Sequence, residues 1–246
     1  MISISRRIFG VPVTEKWFAQ TISTIDHFSP CIYTQCSDNS WHAGFSRSEF
    51  ATKIVDISVT ENNLFALLDK GTQYEIRRAK RDGVRSEPCA NWAEFISFYN
   101  VFASLNGRSP LTWSDLLQLA RHAQLFHAVY GGDVLVMHMY LLDFSLKRCR
   151  LLYSASHFRD KDNNEVRALM GRANRHLHWN AMLHFKSLGF VTYDMGGYAI
   201  NPTTEALVGI NKFKDGLGGI LVMESHYISW LLIILRFFRR LLNGKL

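Results

Sequence analysis

The chain has 246 residues, 48% of them hydrophobic and 20% charged, with unremarkable Gly and Pro counts. Such a composition supports one large domain or two small ones with a real core, and excludes a chain dominated by disordered linker. The formal charge of +7 favours anionic partners, whether nucleic acid, an anionic membrane or a phosphorylated substrate.

The charge is unevenly spread. Residues 226–246 carry Arg236, Arg239, Arg240 and Lys245 and no acid. A second cluster, Arg77, Arg78, Lys80, Arg81 and Arg85, is diluted by Asp69, Glu75, Asp82 and Glu87, as on many solvated helix faces. Cys31, Cys36, Cys89 and Cys149 lack metal-finger spacing and are expected as free thiols. Arg6 and Arg7 are followed by no continuous apolar run, so no secretory signal is expected.

In chain order, residues 1–50 read as short strands and loops. Cys31–Cys36 has strand composition, and Ser37-Asp38-Asn39-Ser40 is a turn cluster. Ile54–Val59 is a β-branched, alternating strand. Thr60 or Glu61 then opens a single helix, with Leu64, Leu67, Leu68, Gly71 and Tyr74 on one face and a basic end stopped at Gly83. Trp92, Phe95, Tyr99 and Phe102 recur at helical spacing as a core stripe ahead of Asn106-Gly107. Thr112 or Ser114 caps a short helix over 116–121.

Segments 123–130 and 134–142 flank Gly131-Gly132, a two-residue hairpin signal, and 149–155 adds a third strand to an antiparallel meander. Asn163 or Asn164 caps a long helix from Glu165 to about Leu188, with Val166, Leu169, Met170, Ala173, Leu177, Ala181 and Phe185 on its apolar face. Gly189 ends it, and Phe190–Met195 forms a strand closed by Gly196-Gly197. Residues 207–213 lead into Lys214, and Ile220–Glu224 is the last strand. The order predicts an α/β (α+β) fold with a mixed, mainly antiparallel sheet flanked by helices. Three parts are expected: a short segment 1–50, a main domain 51–225 and a basic amphipathic tail 226–246.

The tail combines Trp230, Leu231–Leu235, Phe237, Phe238, Leu241 and Leu242 with Arg236, Arg239 and Arg240. The arginines come too early for a spanning helix, which needs about 20 apolar residues. An interfacial helix on anionic lipid is expected, with Trp230 and the three arginines as membrane contacts.

The chemistry-bearing run is Gly171-Arg172-Ala173-Asn174-Arg175-His176-Leu177-His178-Trp179-Asn180, followed by Phe185-Lys186-Ser187-Leu188-Gly189, Tyr193-Asp194-Met195-Gly196-Gly197 and Gly209-Ile210-Asn211-Lys212-Phe213-Lys214-Asp215-Gly216-Leu217-Gly218-Gly219. With Arg77-Arg78-Ala79-Lys80-Arg81-Asp82-Gly83-Val84 upstream, it resembles the FemAB-like (peptidoglycan-bridge type) branch of the GCN5-related N-acetyltransferase superfamily. The resemblance spans roughly residues 50–224. It implies an acetyltransferase-like fold and an acyltransferase moving an acyl or aminoacyl group onto an amine of a cell-envelope, polysaccharide or lipid intermediate. No bound cofactor is implied, and acyl-CoA, acyl carrier protein and aminoacyl-tRNA remain open as donors. The partners implied are a small-molecule or lipid-linked amine acceptor and an anionic membrane surface, with no DNA. The expected location is cytoplasmic, on the inner face of the plasma membrane. The chain departs from the bridge-forming enzymes in its truncated first half and its lack of a coiled-coil arm. A pyrophosphate loop is missing too, because 157–163 has no glycine.

Within this run, a carboxylate at a strand end can take the proton of an attacking amine, and a lysine can meet an oxyanion or phosphate. Asp194 and Lys214 are therefore the expected catalytic pair. Substrate contacts are expected from Arg172, Asn174, His178, Tyr193, Gly196, Gly197 and Phe213. His176 and His178 at i,i+2 point to different sides of a helix, so no metal is expected, and Trp179 is read as core. The alternative in another class is a catalytically decayed domain serving as a membrane-recruited binding module. Nucleic-acid binding through the basic clusters has no recognised module behind it.

Overall fold

The computed structural model describes residues 1–8, 10–156 and 164–242. They fold as two compact units, one of residues 1–52 with 221–246 and one of residues 53–220.

The first unit holds β1 (Ile2–Ile8), β2 (Val11–Trp17), β3 (Cys31–Cys36), most of β4 (Phe45–Asp56), nearly all of β10 (Ile220–Ser229) and α7 (Trp230–Leu242). β1 and β2 are antiparallel, β2 and β3 parallel, and β3 and β10 antiparallel. Tyr33, Phe45, Tyr227, Cys31 and Cys36 form its buried core. The N- and C-terminal segments thus share one unit, a pairing across about 190 residues that no local pattern signals. β10 runs past the expected Glu224 because Tyr227 and Ile228 find Tyr33 and Ile32 as partners. All four cysteines are free thiols.

The second unit is a mixed sheet in the order β9 (Thr192–Gly197), β8 (Arg148–Ser156), β7 (Asp133–Asp143), β6 (Ala123–Tyr130), β5 (Arg85–Cys89). The hairpin at Gly131-Gly132 forms as expected, both glycines having positive φ. Among these five strands the β8–β9 pairing is parallel and the other three pairings are antiparallel. α5 (Asn164–Ser187) and α2 (Lys70–Arg81) pack on one another beside the sheet, and α3 (Trp92–Leu105) covers its other face through Phe95 and Tyr99 against Tyr153. Asn91 caps α3, its side chain accepting from the Glu94 N–H. Asn163, a candidate cap of α5, and the glycine-free stretch 157–163 lie outside the described residues.

The single helix expected from residue 60 is two, α1 (Glu61–Ala66) and α2. Thr60 caps the first and Asp69 the second, accepting from the Thr72 N–H. The Asp69 N–H bonds the Gly216 carbonyl, 3.0 Å away, so the break is held from α6 (Glu205–Gly216). Gly218-Gly219 then brings two backbones together. A Cβ on Gly218 would lie 2.7 Å from the Leu67 carbonyl oxygen, and one on Gly219 would overlap that of Ile54. At the C-terminal end of α5, Lys186 donates to the carbonyls of Ile57 and Ser58, both at 3.0 Å, and to that of Val59.

Candidate functional site

β8 and β9 are in register only from Arg148/Thr192 to Arg150/Asp194, although β8 continues to Ser156. The parallel pair parts at this point. Gly196 and Gly197 sit where it opens, and α6 brings Lys214 to the same place.

Lys214 Nζ donates to the Gly196 carbonyl at 3.1 Å and to the Gly197 carbonyl. Burial pushes its pKa down to about 8, opposed by the charge of Asp194 and aided by Arg150. Two hydrogens of the ammonium are thereby anchored on the backbone. A third acceptor is not found for it among the described residues.

Asp194 is not the accessible base that its position suggests. It is fully buried. Arg148 donates to Oδ2 through Nη2 at 2.6 Å and Nε at 3.2 Å, and the Gly196 N–H donates to Oδ1 at 2.8 Å. A carboxylate engaged on both oxygens, without solvent contact, holds the strand end together and has no lone pair facing an acceptor amine. Gly196, with φ +72°, is likewise a packing glycine: a Cβ there would sit 3.0 Å from the Leu151 carbonyl oxygen.

Tyr193, His178 and Asn174 do come together, with two residues that sequence reading passed over, His138 and Tyr140. Asn174 Oδ1 meets His138 Nε2 at 2.9 Å, His138 Nδ1 meets Tyr140 Oη at 2.8 Å, Tyr140 Oη meets Tyr193 Oη at 2.7 Å, and Tyr193 Oη meets His178 Nδ1 at 2.7 Å. The donors are fixed by chemistry. An amide oxygen only accepts, so His138 carries its proton on Nε2 and accepts at Nδ1 from the Tyr140 hydroxyl. Tyr140 then accepts from Tyr193, and Tyr193 from His178 Nδ1–H. Burial holds both imidazoles neutral, taking His138 down to about 3 and His178 well below its ordinary value. Their signal in the sequence was His138 and Tyr140 on the same side of an otherwise apolar strand.

The other expected contacts divide. Phe213 packs on His178, ring centroids 5.4 Å apart, and carries Arg175 over its ring at 4.9 Å. Arg172 is elsewhere: it is buried with Nε 3.3 Å from Asp82 at the end of α2, close enough for charge pairing. Trp179 is buried against Phe65, as a core residue should be. Among the described residues no group of three His, Cys, Asp or Glu could hold a metal ion.

No protein-family model and no curated protein matches the sequence. Solved structures do match. A crystal structure of FemX superposes with TM-score 0.65 at 13% identity, covering 92% of this chain and 83% of that one. The C-terminal domain of a protein described as a lysylphosphatidylglycerol synthetase from Agrobacterium fabrum gives TM-score 0.58 at 11% identity, over 88% and 77%. L-PGS from Bacillus licheniformis gives 0.54 at 13%, over 87% and 73%. The chain therefore has the fold of these proteins, the mixed, mainly antiparallel sheet flanked by helices that the order of elements led one to expect.

Proposed function

We propose that the protein is an acyl- or aminoacyltransferase acting on an amine acceptor of cell-envelope synthesis, with its reacting centre at the opening of β8 and β9. Lys214 carries this reading. Attack of a neutral amine on an ester or thioester carbonyl puts negative charge on the carbonyl oxygen. An ammonium fixed by two backbone carbonyls, with a third N–H left to donate, meets that charge without reorganising. The proton lost by the amine leaves with the donor's hydroxyl or thiol, so charge balances without Asp194. Asp194 serves as a positioning residue through Arg148 and Gly196, and Phe213, His178 and Tyr193 form the wall behind the centre. The name lysylphosphatidylglycerol synthetase favours an aminoacyl donor and a lipid acceptor, the resemblance of the motif run adds a peptidoglycan acceptor, and aminoacyl-tRNA, acyl-CoA and acyl carrier protein are the donors to assay. No observation favours a decayed binding module.

The test is transfer activity with that donor panel against pH. Because Lys214 must be charged, kcat/KM should fall as pH rises through about 8. Lys214→Met should lose roughly 10²- to 10³-fold in kcat, and Lys214→Arg should retain activity while losing the alkaline limb. Full activity of Lys214→Met with a donor accepted by the wild type would sink the reading.

We further propose that α7 lies on an anionic membrane surface. Trp230, Ile233, Ile234, Phe237, Phe238 and Leu241, spaced as one helical face, are exposed, whereas Leu232 is the buried contact. This helix turns its apolar face outward, with Arg236 and Arg239 in the same helix to meet lipid phosphates. Among the described residues no helix is long and apolar enough to cross a membrane. Sedimentation should show binding to vesicles containing phosphatidylglycerol, weaker binding to neutral vesicles, and loss of binding in Phe237→Ser/Phe238→Ser. Unchanged binding in that variant would refute the assignment.

A further inference from the structure

The opposite face of α5 borders a space whose lining includes none of the residues assigned to the proposed transfer centre. His176, Trp179, Asn180 and Leu183 follow one another at i, i+3, i+4 and i+7, turned away from the Asn174 and His178 side. With Phe65, Ile76, Arg77, Lys80 and residues 83–87 they line an open cleft of about 740 Å³, within the range of small-molecule sites.

Its floor is apolar. Ile76, Val84 and Trp179 are buried there, and Phe65 stands edge-on to Trp179 with ring centroids 5.0 Å apart. Its rim is cationic. Arg77 lies over the Phe65 ring at 4.9 Å, and among the described residues Arg77, Lys80 and Arg85 have no carboxylate within ion-pair distance. Glu61 and Glu87 also reach the lining, and Glu87 has His127 3.6 Å away.

A buried relay sets one polar group between floor and rim. Asn180 Nδ2 donates to the His176 carbonyl at 2.9 Å, which identifies it as the amide nitrogen, and its second hydrogen goes to His176 Nε2 at 3.1 Å. His176 must then carry its proton on Nδ1 and donate it to Ser86 Oγ, 2.8 Å away. The Ser86 oxygen is occupied as an acceptor, so its own hydrogen is left to donate to a ligand. The same geometry rules out His176 as a base for Ser86, making this a binding device and not a hydrolytic pair. Burial and the nearby Lys80 keep His176 neutral, with a pKa of about 4, so the relay persists at neutral pH.

We propose that this cleft binds a phosphate ester bearing an aromatic or aliphatic group, the phosphate among Arg77, Lys80, Arg85 and the Ser86 hydroxyl and the apolar part on Phe65 and Trp179. A dianion matches three cations and an oriented hydroxyl, and the floor matches an organic substituent. The proposal stands apart from the transferase reading and needs no turnover to test.

Calorimetric titration of the full chain with phenyl phosphate, with monomeric dihexanoyl phosphatidic acid and with inorganic phosphate provides the test. At least one ester should bind with a Kd of about 1 mM or tighter, at least roughly ten-fold tighter than inorganic phosphate. Phenyl phosphate alone would identify a soluble ester, phosphatidic acid alone a lipid headgroup, and both the shared chemistry. Lys80→Gln/Arg85→Gln should weaken binding roughly ten-fold or more and Ser86→Ala about three- to ten-fold, while Arg121→Gln, remote from the cleft, should leave it unchanged. Lys80 and Arg85 are exposed, so the double variant folds. The proposal is overturned if neither ester binds at millimolar concentration, or if binding survives both the double variant and Ser86→Ala.

Discussion

Replacing Tyr193 by Phe removes one oxygen from the centre of the buried chain Asn174–His138–Tyr140–Tyr193–His178 and changes little else. The ring fits the same space, so the loss is almost entirely polar. It leaves His178 Nδ1–H without its acceptor, formerly at 2.7 Å, and Tyr140 Oη without its donor, also at 2.7 Å. Both groups are fully buried and cannot turn to water. An unsatisfied buried partner costs about 1–3 kcal/mol, so with two orphaned the variant should lose about 2–6 kcal/mol. For a domain of this size that is on the order of 10 °C in melting temperature. Urea unfolding followed by circular dichroism measures it, with an unchanged m-value as the check that only the native state was affected. Tyr140→Phe should cost a similar amount, because it orphans His138 Nδ1 and the Tyr193 hydroxyl. The two variants share one bond, so the double variant should cost less than their sum by roughly 1 kcal/mol. A Tyr193→Phe loss under about 0.5 kcal/mol, or strict additivity, would refute the directed chain.

Arg148→Met should destabilise by about 3–5 kcal/mol in the same assay by stranding the buried Asp194 carboxylate, and Arg148→Met/Asp194→Leu should recover much of that loss. Gly219→Ala should fail to yield soluble native protein, since its φ is +85° and its Cβ would strike the Ile54 carbonyl; Gly209→Ala, in the interior of α6 with open space around it, should gain about 0.5–1 kcal/mol by thermal melting. Acid should be destabilising in a defined window. His176 and His138 titrate at about 4 and about 3 when folded, against 6.5 when free. The unfolded chain therefore binds more protons below pH 6.5, and stability is complete above that pH. The His176 contribution, about 3 kcal/mol, should be lost as pH falls from 6.5 to about 4. His176→Gln should flatten that slope in urea unfolding measured as a function of pH.

Local patterns carried most of the second unit. The apolar spacing of α5, the aromatic spacing of α3 and the double glycine between β6 and β7 each depend on residues within a few positions of one another, and each formed where expected. The break between α1 and α2 escaped because Leu64, Leu67, Leu68 and Tyr74 keep helical spacing across it. Its cause is a side-chain cap from Asp69 reinforced by a carbonyl from Gly216, about 150 residues later. The extension of β10 from Glu224 to Ser229 escaped in the same way, since those residues depend on a partner strand near the other end of the chain.

The site was legible in its members more than in their roles. Tyr193, Asn174, His178, Phe213 and Lys214 gather near one strand end, yet what each can do was decided by groups the motif does not contain. Arg148 lies 46 residues before Asp194 and converts a candidate base into a buried structural anion. Leu151 supplies the carbonyl that requires Gly196 to be glycine, and Ile54 and Leu67 do the same for Gly219 and Gly218. A motif of glycines and charges therefore marks where backbones crowd as readily as where substrates enter, and the two are separated by asking what occupies the space a Cβ would fill. At Gly196, Gly218 and Gly219 the occupant is the protein's own carbonyl oxygen. At Lys214 the third N–H has no such occupant. By this criterion Lys214, of the expected catalytic pair, keeps a free valence for substrate, and the reaction should depend on its charge and not on the basicity of Asp194. Asp194→Asn gives the decisive contrast: an amide keeps one oxygen for Arg148, so activity should fall only in proportion to lost folding stability, whereas a 10²- to 10⁴-fold drop in kcat at full stability would restore Asp194 as the base.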